Sequence, residues 1–235
     1  MRLLLAVLLW GMSCVGQAGE PAPAEVAVLS TLHRMHAQVP AYDAAALEAS
    51  LLRLDPAVLC IEVRPDRYAQ RAAETTKVEY PQVVYPLLER HAWRVYPMEP
   101  DGARYDAILG PYLAAGRAFG ESQPDAAEAF SAHATALYAA LRGYWTSPAR
   151  VNDAVTDQQM RAKHALQEAL SGEGERAGWQ AWNQHFLEVI TRAAAENPGR
   201  RIVVLAGAEH GYWLRERLAG QPGIRLLDTA ALLSD

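Results

Sequence analysis

The first hundred residues alternate short apolar runs with amphipathic stretches. The apolar runs predict strands at 25–31 (EVAVLST), 57–63 (AVLCIEV) and 93–99 (WRVYPME). Between them, helices are predicted at 43–54 and 82–92. Within the earlier helix, Asp43 can cap the N-terminus, and Asp55-Pro56 ends the helical pattern. Because strands and helices alternate, the pattern predicts a parallel sheet with right-handed crossovers.

The pattern changes in the middle of the chain, since residues 103–197 contain no convincing strand. The helical patterns in this stretch lie at 125–145, 153–171 and 176–197. The sheet pattern then returns, with a strand at 201–207, a helix at 212–220 and a last strand at 223–228. The sequence therefore predicts the α/β class, with a mostly parallel sheet core and a helical insertion between the third and fourth core strands. We expect residues 26–235 to form a single domain, because the two parts of the core complete one sheet.

The N-terminus has the features of a signal peptide, predicted to cover residues 1–18. Arg2 precedes the apolar run LLLAVLLW, which is too short to span a bilayer and is followed by small residues. A short flexible leader is predicted at 19–25. The mature protein is therefore expected to be secreted or periplasmic, without a stable membrane span. Lipidation at Cys14 is the less favoured alternative, because the residues before it fit a lipoprotein motif poorly.

Composition and sequence position argue against nucleic-acid binding and against a cysteine nucleophile. The 235-residue chain has a formal net charge of −5 and no cluster of Lys or Arg, so we expect no nucleic-acid binding. Cys60 lies inside an apolar strand pattern and is expected to fill space in the core. The sequence also lacks the G-x-S-x-G, HExxH, P-loop and G-x-G-x-x-G motifs, so serine hydrolase, zincin and nucleotide-binding functions have no support.

Ionisable residues cluster where the predicted strands end. Ligands of open parallel sheets bind just beyond the carboxyl ends of the strands, so these residues are candidates for a site. The candidates are, in chain order, His33, His36, Glu62, Arg64, Asp66, Arg67, Glu99, Glu209 and His210. Parallel strands place these ends at one edge of the sheet. Side chains from both ends of the chain are therefore expected to converge there.

These residue types suit proton transfer or metal binding. A neutral imidazole takes a proton from water or binds a divalent metal, and a carboxylate can orient it. Arg64 could hold a substrate carboxylate or stabilise an oxyanion. Structural alternatives stay open: Glu62 and Arg64 could form an ion pair, and a single histidine at a strand end is most often structural. His164, which follows Asp157 and Arg161 at helical spacing, is expected on a solvated polar face.

The order and spacing of these residues resemble the TraB/Tiki superfamily, whose more distant members include erythromycin esterases and haem-binding ChaN proteins. The superfamily has two G-x-x-H strand ends with a glutamate after the first. Here the late motif is Gly207-Ala208-Glu209-His210, and Glu62 matches the glutamate. The early motif reads Ser30-Thr31-Leu32-His33, with serine where the family usually has glycine. Asn183 matches the polar position of the helix before the late motif.

The resemblance implies a metal-dependent peptidase, a metal-free hydrolase or a haem-binding protein. Applied to this chain, the resemblance makes His33 the base or a metal ligand and Glu62 its partner. It makes His210 a second ligand or an electrostatic element. The leading prediction is an exported, hydrolase-like protein acting on a small-molecule ester or a peptide, with His33, Glu62, Arg64 and His210 as catalytic residues. His33, Glu62 and His210 are also the predicted ligands of a divalent manganese, cobalt or zinc ion. The alternatives are a haem- or small-ligand-binding protein and a catalytically inactive interaction protein.

Overall fold

The computed structural model describes residues 21–234, and the predicted signal peptide lies outside them. The chain forms five strands and ten α-helices within this range. The strands are β1 (Ala24–Thr31), β2 (Val58–Ile61), β3 (Arg94–Pro97), β4 (Arg201–Gly207) and β5 (Ile224–Leu226). The helices are α1 (Ala44–Leu54), α2 (Pro65–Ala69), α3 (Tyr85–Arg90), α4 (Gly102–Ser122), α5 (Pro124–Tyr144), α6 (Pro148–Val151), α7 (Ala154–Ser171), α8 (Glu173–Glu196), α9 (Ala208–Leu218) and α10 (Thr229–Leu233).

The strands form one parallel sheet in the order β3-β2-β4-β1-β5. The predicted fold class is therefore confirmed, and helices α4 to α8 form the insertion between β3 and β4. β4, the fourth strand along the chain, lies in the middle of the sheet. It pairs with β1 on one side and β2 on the other. β1 begins at Ala24, so it overlaps the last two residues of the predicted leader.

The apolar composition of the strands explains why they are buried in the core. β2 and β4 are almost wholly buried, as expected for parallel strands covered by helices on both faces. Cys60 is buried in β2 as a free thiol, which confirms its role as a core residue. Asp43 caps α1 by accepting a hydrogen bond from Ala46 N–H at 2.9 Å, as the sequence predicted. Within residues 21–234, no helix combines the length and apolar composition needed to cross a bilayer.

Several helices differ from the sequence prediction, which did not specify α2, α6 or α10. α4 lies inside the predicted helical insertion, but no individual helix was predicted there, because glycine recurs along it and Pro111 lies inside it. These residues disfavour a helix, and the packing of one half-buried stripe against α8 outweighs them. α9 begins at Ala208, directly after β4, whereas the sequence pattern placed its start at residue 212. The earlier start puts His210 in the first turn of a helix.

Candidate functional site

The register of the sheet brings three strand ends together. Thr31 of β1 pairs with Gly207 of β4, and Ile61 of β2 pairs with Leu205 on the other side of β4. The next residues along each chain segment therefore leave the sheet at the same edge. These residues include His33, Glu62 and His210, which the structure brings into one cluster, as the sequence predicted.

Glu62 lies at the centre of this cluster and is almost completely buried. Its Oε2 accepts a hydrogen bond from Gly207 N–H at 2.5 Å, and its Oε1 lies 3.7 Å from His33 Nε2 and 3.8 Å from His210 Nε2. Burial alone would raise the pKa of Glu62, but Lys77 and the two histidines outweigh burial and hold the pKa well below its ordinary range. The two imidazoles thus face one ionised carboxylate from opposite ends of the chain.

The backbone of His33 is held in a conformation that few residues other than glycine adopt. Its φ is +49°, in the left-handed region, which costs about 1–3 kcal/mol and is a known feature of functional sites. Its Nδ1 lies 2.7 Å from Glu79 Oε1, which also accepts a hydrogen bond from Thr31 Oγ1 at 3.0 Å. Burial lowers the pKa of His33, but the Glu62 and Glu79 carboxylates outweigh burial and raise the pKa to about 10. His33 is therefore an imidazolium at neutral pH, and its Nε2–H points towards Glu62.

His210 has the opposite character. Asn183 Nδ2 donates to Trp179 O, so Asn183 Oδ1 is the acceptor for His210 Nδ1–H at 2.7 Å. His210 also stacks on Trp179, with the ring centroids 4.7 Å apart. Burial lowers the pKa of His210 to about 4, against the influence of Glu62. His210 is therefore neutral at physiological pH, and its unprotonated Nε2 faces the carboxylate.

Lys77 belongs to the cluster, although sequence reasoning did not single it out. Its buried Nζ lies 3.3 Å from Glu62 Oε1, donates to Glu62 O at 3.0 Å and forms a short hydrogen bond with Glu99. Burial raises the pKa of Glu99 to about 7, although Lys77 opposes this shift. Lys77 lies between β2 and α3, outside any strand, and one lysine in a loop carries no recognisable pattern. Glu79, which anchors His33, was missed for the same reason.

The three metal ligands predicted from the sequence, His33, Glu62 and His210, are not arranged as a metal site in this structure. Among residues 21–234, no group of three or more His, Cys, Asp or Glu side chains is arranged so that it could hold a metal ion. Ligands about 2.1 Å from one tetrahedral zinc lie about 3.4 Å apart, closer than the histidine–carboxylate distances found here. The ammonium of Lys77 already supplies positive charge beside Glu62 Oε1. The metal set of His33, Glu62 and His210 therefore stays a prediction from the sequence.

Three cavities adjoin the cluster and share its residues. The central cavity, of about 160 Å³, is lined by both histidines together with Gly207, Glu209 and Tyr138. The aromatic cavity, of about 310 Å³, lies on the side of Glu62 and His210, and its walls include Ile108, Leu109, Tyr112, Trp179 and Trp182. The arginine cavity, of about 470 Å³, lies on the side of His33 and Tyr138, and its lining includes Arg34 and Arg142. The clustered side chains therefore lie between two larger spaces.

No protein-family model matches the chain, and no curated protein or solved structure matches it at a significant level. A functional assignment therefore depends on the geometry of the cluster. Two imidazoles of opposite protonation state face one buried carboxylate and one small cavity. Buried ionisable groups with strongly shifted pKa values are concentrated at functional sites. This combination is the physical basis for treating the cluster as a site.

Several other residues expected near the site have different roles. Arg64 forms a two-pronged ion pair with Asp66 and lies 4.8 Å above the Tyr105 ring; within residues 21–234, no contact joins its guanidinium to Glu62. His36 is structural, since its Nε2 accepts from Leu32 N–H at 3.0 Å and its Nδ1 bonds to a backbone carbonyl. Arg64 thus stands apart from the cluster, and its catalytic role stays a prediction.

Glu209 and His164 belong to a second network beneath the central cavity. Glu209 accepts from Tyr138 and from Lys163 Nζ at 2.9 Å, and lies 3.2 Å from His164 Nε2. His164 is 2% exposed and stacks on Trp179 with a centroid distance of 3.8 Å, so its predicted position on a solvated face is wrong. The helical spacing was correct, but the polar face is turned inward to meet α9. This network joins the inserted helices to the late motif.

Ser30 occupies the position where the TraB/Tiki motif has glycine. Its hydroxyl lies 3.3 Å from Arg215 Nη2, and a methyl group added at Gly211 would lie 2.9 Å from it. The serine side chain therefore packs against α9 rather than in the cluster. Gly207, in the late motif, is the position where the backbone closely approaches the cluster: an added methyl group would lie 2.7 Å from His33 Nε2.

The raised pKa of His33 predicts a specific loss of stability at alkaline pH. The folded-state pKa of about 10 exceeds the unfolded value of 6.5, so the contribution of His33 is complete below pH 6.5 and is lost as the pH rises towards 10. Asparagine tolerates a left-handed backbone, so His33→Asn removes the ring without new strain. Over this window, we expect the unfolding free energy of the wild type to fall about 2 kcal/mol more than that of the variant. Urea unfolding across the window measures the difference, and parallel curves would contradict the assigned ionisation.

Proposed function

We propose that the protein is a hydrolase in which His210, Glu62 and His33 act together on a water molecule and a carbonyl group. One observation carries the proposal: both imidazoles direct Nε2 at the same oxygen of Glu62, while Asn183 and Glu79 fix their Nδ1 atoms. Side chains that are anchored in this way on both rings form a preorganised proton-transfer site. The central cavity supplies space for a carbonyl group and a water molecule beside them.

The proposed reaction assigns a separate role to each ring. His210 Nε2, which is unprotonated, takes a proton from water that Glu62 orients, and the water oxygen attacks the carbonyl carbon. The imidazolium of His33 stabilises the negative charge on the carbonyl oxygen and then gives its Nε2 proton to the leaving alcohol or amine as the carbon–oxygen or carbon–nitrogen bond breaks. Both rings return to their starting forms by proton exchange with solvent. The products are a carboxylic acid and an alcohol or amine.

This assignment reverses the roles that the TraB/Tiki resemblance implied, in which His33 was the base. The reason is electrostatic: His33 lies between two carboxylates, whereas His210 lies in an aromatic environment beside an amide. The superfamily membership and the export of the protein remain parts of the proposal, supported by the motifs and by the N-terminal sequence. The reaction as proposed uses only side chains of this chain.

Activity assays on ester and peptide panels test the proposal. We expect the wild type to hydrolyse at least one ester class, with kcat/KM unchanged by chelators, and His210→Gln to lower kcat/KM by about 100-fold. His133→Gln is the matched control, because His133 is an exposed histidine on α5, and it should match the wild type. Equal turnover by wild type and His210→Gln would contradict the proposed base. Turnover that depends on added manganese, cobalt or zinc would support the metal set instead.

A second candidate function, binding of haem or another small ligand without catalysis, is favoured by the aromatic cavity. Its walls are aromatic and aliphatic, and His210 lies at its base. Pockets of this size and polarity are typical small-ligand sites. Titration with haem separates the two candidates: a Soret shift in the wild type that is lost in His210→Gln would favour binding. An unshifted Soret band, together with ester hydrolysis, would favour the hydrolase.

A further inference from the structure

The two larger cavities beside the cluster differ in charge. The aromatic cavity contains three carboxylates, Glu62, Glu74 and Glu99, and one ammonium, Lys77. The arginine cavity contains two guanidinium groups and no carboxylate in its lining. A substrate that spans the cluster therefore meets an apolar space with carboxylates at its bottom on one side. On the other side it meets a positively charged space. An anionic group is disfavoured in the first and favoured in the second.

The aromatic cavity sets the size of the group that it can hold. An apolar cavity of roughly 150 Å³ holds benzene, so a cavity of about twice that volume accommodates an aromatic ring with a short alkyl chain. Trp179 and Trp182 of α8 form one wall, and Ile108, Leu109 and Tyr112 of α4 form the other. The ammonium of Lys77, which also lines this cavity, is already held by Glu62 and Glu99. The lining therefore favours an uncharged, apolar group.

The position of α4 on α8 fixes the width of the aromatic cavity. Methyl groups added at Gly174 and Gly178 of α8 would lie 2.7 Å from Ala115 Cβ and 2.5 Å from the Tyr112 ring, respectively. The two glycines thus let α4 approach α8 closely. This close approach places Tyr112 and Leu109 opposite Trp182. The wall on α4 is therefore held by tight packing, although no residue of α4 is fully buried.

The arginine cavity offers unpaired positive charge beside His33. Arg34 follows His33 directly and is exposed, and Arg142 of α5 is half-buried. Within the part of the chain that the structure describes, neither guanidinium forms a hydrogen bond or an ion pair with a carboxylate. Arg215, by contrast, forms an ion pair with Asp157. A guanidinium without a protein partner can bind a carboxylate of a ligand through two parallel hydrogen bonds.

We propose that the substrate of this site is an ester or amide with an apolar aryl or alkyl group on one side of the scissile bond and a carboxylate on the other. The apolar group occupies the aromatic cavity, the carboxylate contacts Arg34 and Arg142, and the carbonyl group lies in the central cavity between His33 and His210. This inference rests on the proposed hydrolase function for the reaction. The recognition of the two ends, however, depends only on the cavities.

Ligand binding tests the inference without requiring turnover. The probes are ω-phenylalkanoates of increasing chain length, the matched ω-phenylalkanols, and alkanoates that lack the ring. The signal is the change in tryptophan fluorescence, since Trp179 and Trp182 line the aromatic cavity. We expect a phenylalkanoate of optimal length to bind at least about tenfold more tightly than either matched ligand, because each loses one of the two contacts. Equal affinity for acid and alcohol would overturn the carboxylate site. Equal affinity with and without the ring would overturn the apolar site.

Variants assign each end of the ligand to its cavity. Leu109→Trp fills the aromatic cavity, whereas Leu113→Trp on the same helix adds the same ring at a position that is 47% exposed. The former should weaken phenylalkanoate binding about tenfold or more, and the latter should leave it unchanged. Combined Arg34→Gln and Arg142→Gln should remove the preference for acid over alcohol, and Arg117→Gln should preserve it. Binding that follows this pattern without ester hydrolysis would refute the proposed hydrolase and support the proposed ligand class. Ester hydrolysis without this binding pattern would support the hydrolase and refute the ligand class.

Discussion

Gly207→Ala is expected to lower kcat/KM for ester hydrolysis about 1000-fold while the protein stays folded. Gly207 has a φ of −54°, which any residue adopts, so the substitution introduces no backbone strain. The new methyl group would lie 2.7 Å from His33 Nε2 and 3.5 Å from Glu62 Oε2, and one or both must move. Each group contributes on the order of 100-fold to such a reaction, so displacing both gives the larger loss.

The control for this substitution is Gly143→Ala in α5. An added methyl group there meets nothing within 4 Å, so alanine should raise the stability by up to about 1 kcal/mol through helix propensity and leave kcat/KM unchanged. For Gly207→Ala, overpacking should cost about 1–3 kcal/mol of unfolding free energy, which urea unfolding measures. A stable Gly207→Ala protein with wild-type kcat/KM would show that hydrolysis does not depend on the position of His33 Nε2.

Lys77→Met is expected to give the largest loss of stability, about 3–5 kcal/mol of unfolding free energy. Methionine keeps the length of the side chain but removes the charge that lies against Glu62 and Glu99. Both carboxylates are buried, so neither can reach enough water to compensate. Urea unfolding at neutral pH measures the loss. Burial lowers the pKa of Lys77, but the Glu62 and Glu99 carboxylates outweigh burial and hold this pKa above its ordinary value.

Two comparisons make this prediction specific. Lys163→Met removes the other buried lysine, but its partner Glu209 has a side chain that is 33% exposed, so we expect a loss of only about 1 kcal/mol. Combining Lys77→Met with Glu99→Gln should recover at least about 1 kcal/mol relative to Lys77→Met alone, because one uncompensated carboxylate is gone. If Lys77→Met lowered the unfolding free energy no more than Lys163→Met, the Lys77 ammonium would not be needed to balance the charge of Glu62 and Glu99.

The sheet was largely predictable from sequence, because parallel strands buried on both faces leave continuous apolar runs. The convergence of His33, Glu62 and His210 followed from the same logic, since β4 pairs between β1 and β2. Lys77, Glu79 and α4 were not predicted. A lysine and a glutamate in a loop have no periodic pattern, and α4 depends on close packing against Gly174 and Gly178 of α8 rather than on local propensity.

The protonation states of the two histidines also could not be read from the sequence. Both follow strand ends, and both have a glutamate in contact. What separates them is a second neighbour, a carboxylate for His33 and an amide for His210, each from a distant helix or loop. Residues that set a pKa through space leave no signal at a fixed sequence spacing. Similarly, Arg64 looked suitable by its type, but Asp66 holds its guanidinium.

The central place of β4 has a consequence for how the chain matures. Until about residue 207 leaves the ribosome, β1 and β2 have no partner between them, and their edges stay open. A growing chain therefore cannot complete the sheet early, and closure over so long a stretch is slow. The sequence predicts a signal peptide, and for an exported chain such delay is useful, because a chain that is translocated unfolded must not close its sheet beforehand. The proposed site would then be assembled only after transport, when β4 inserts between β1 and β2.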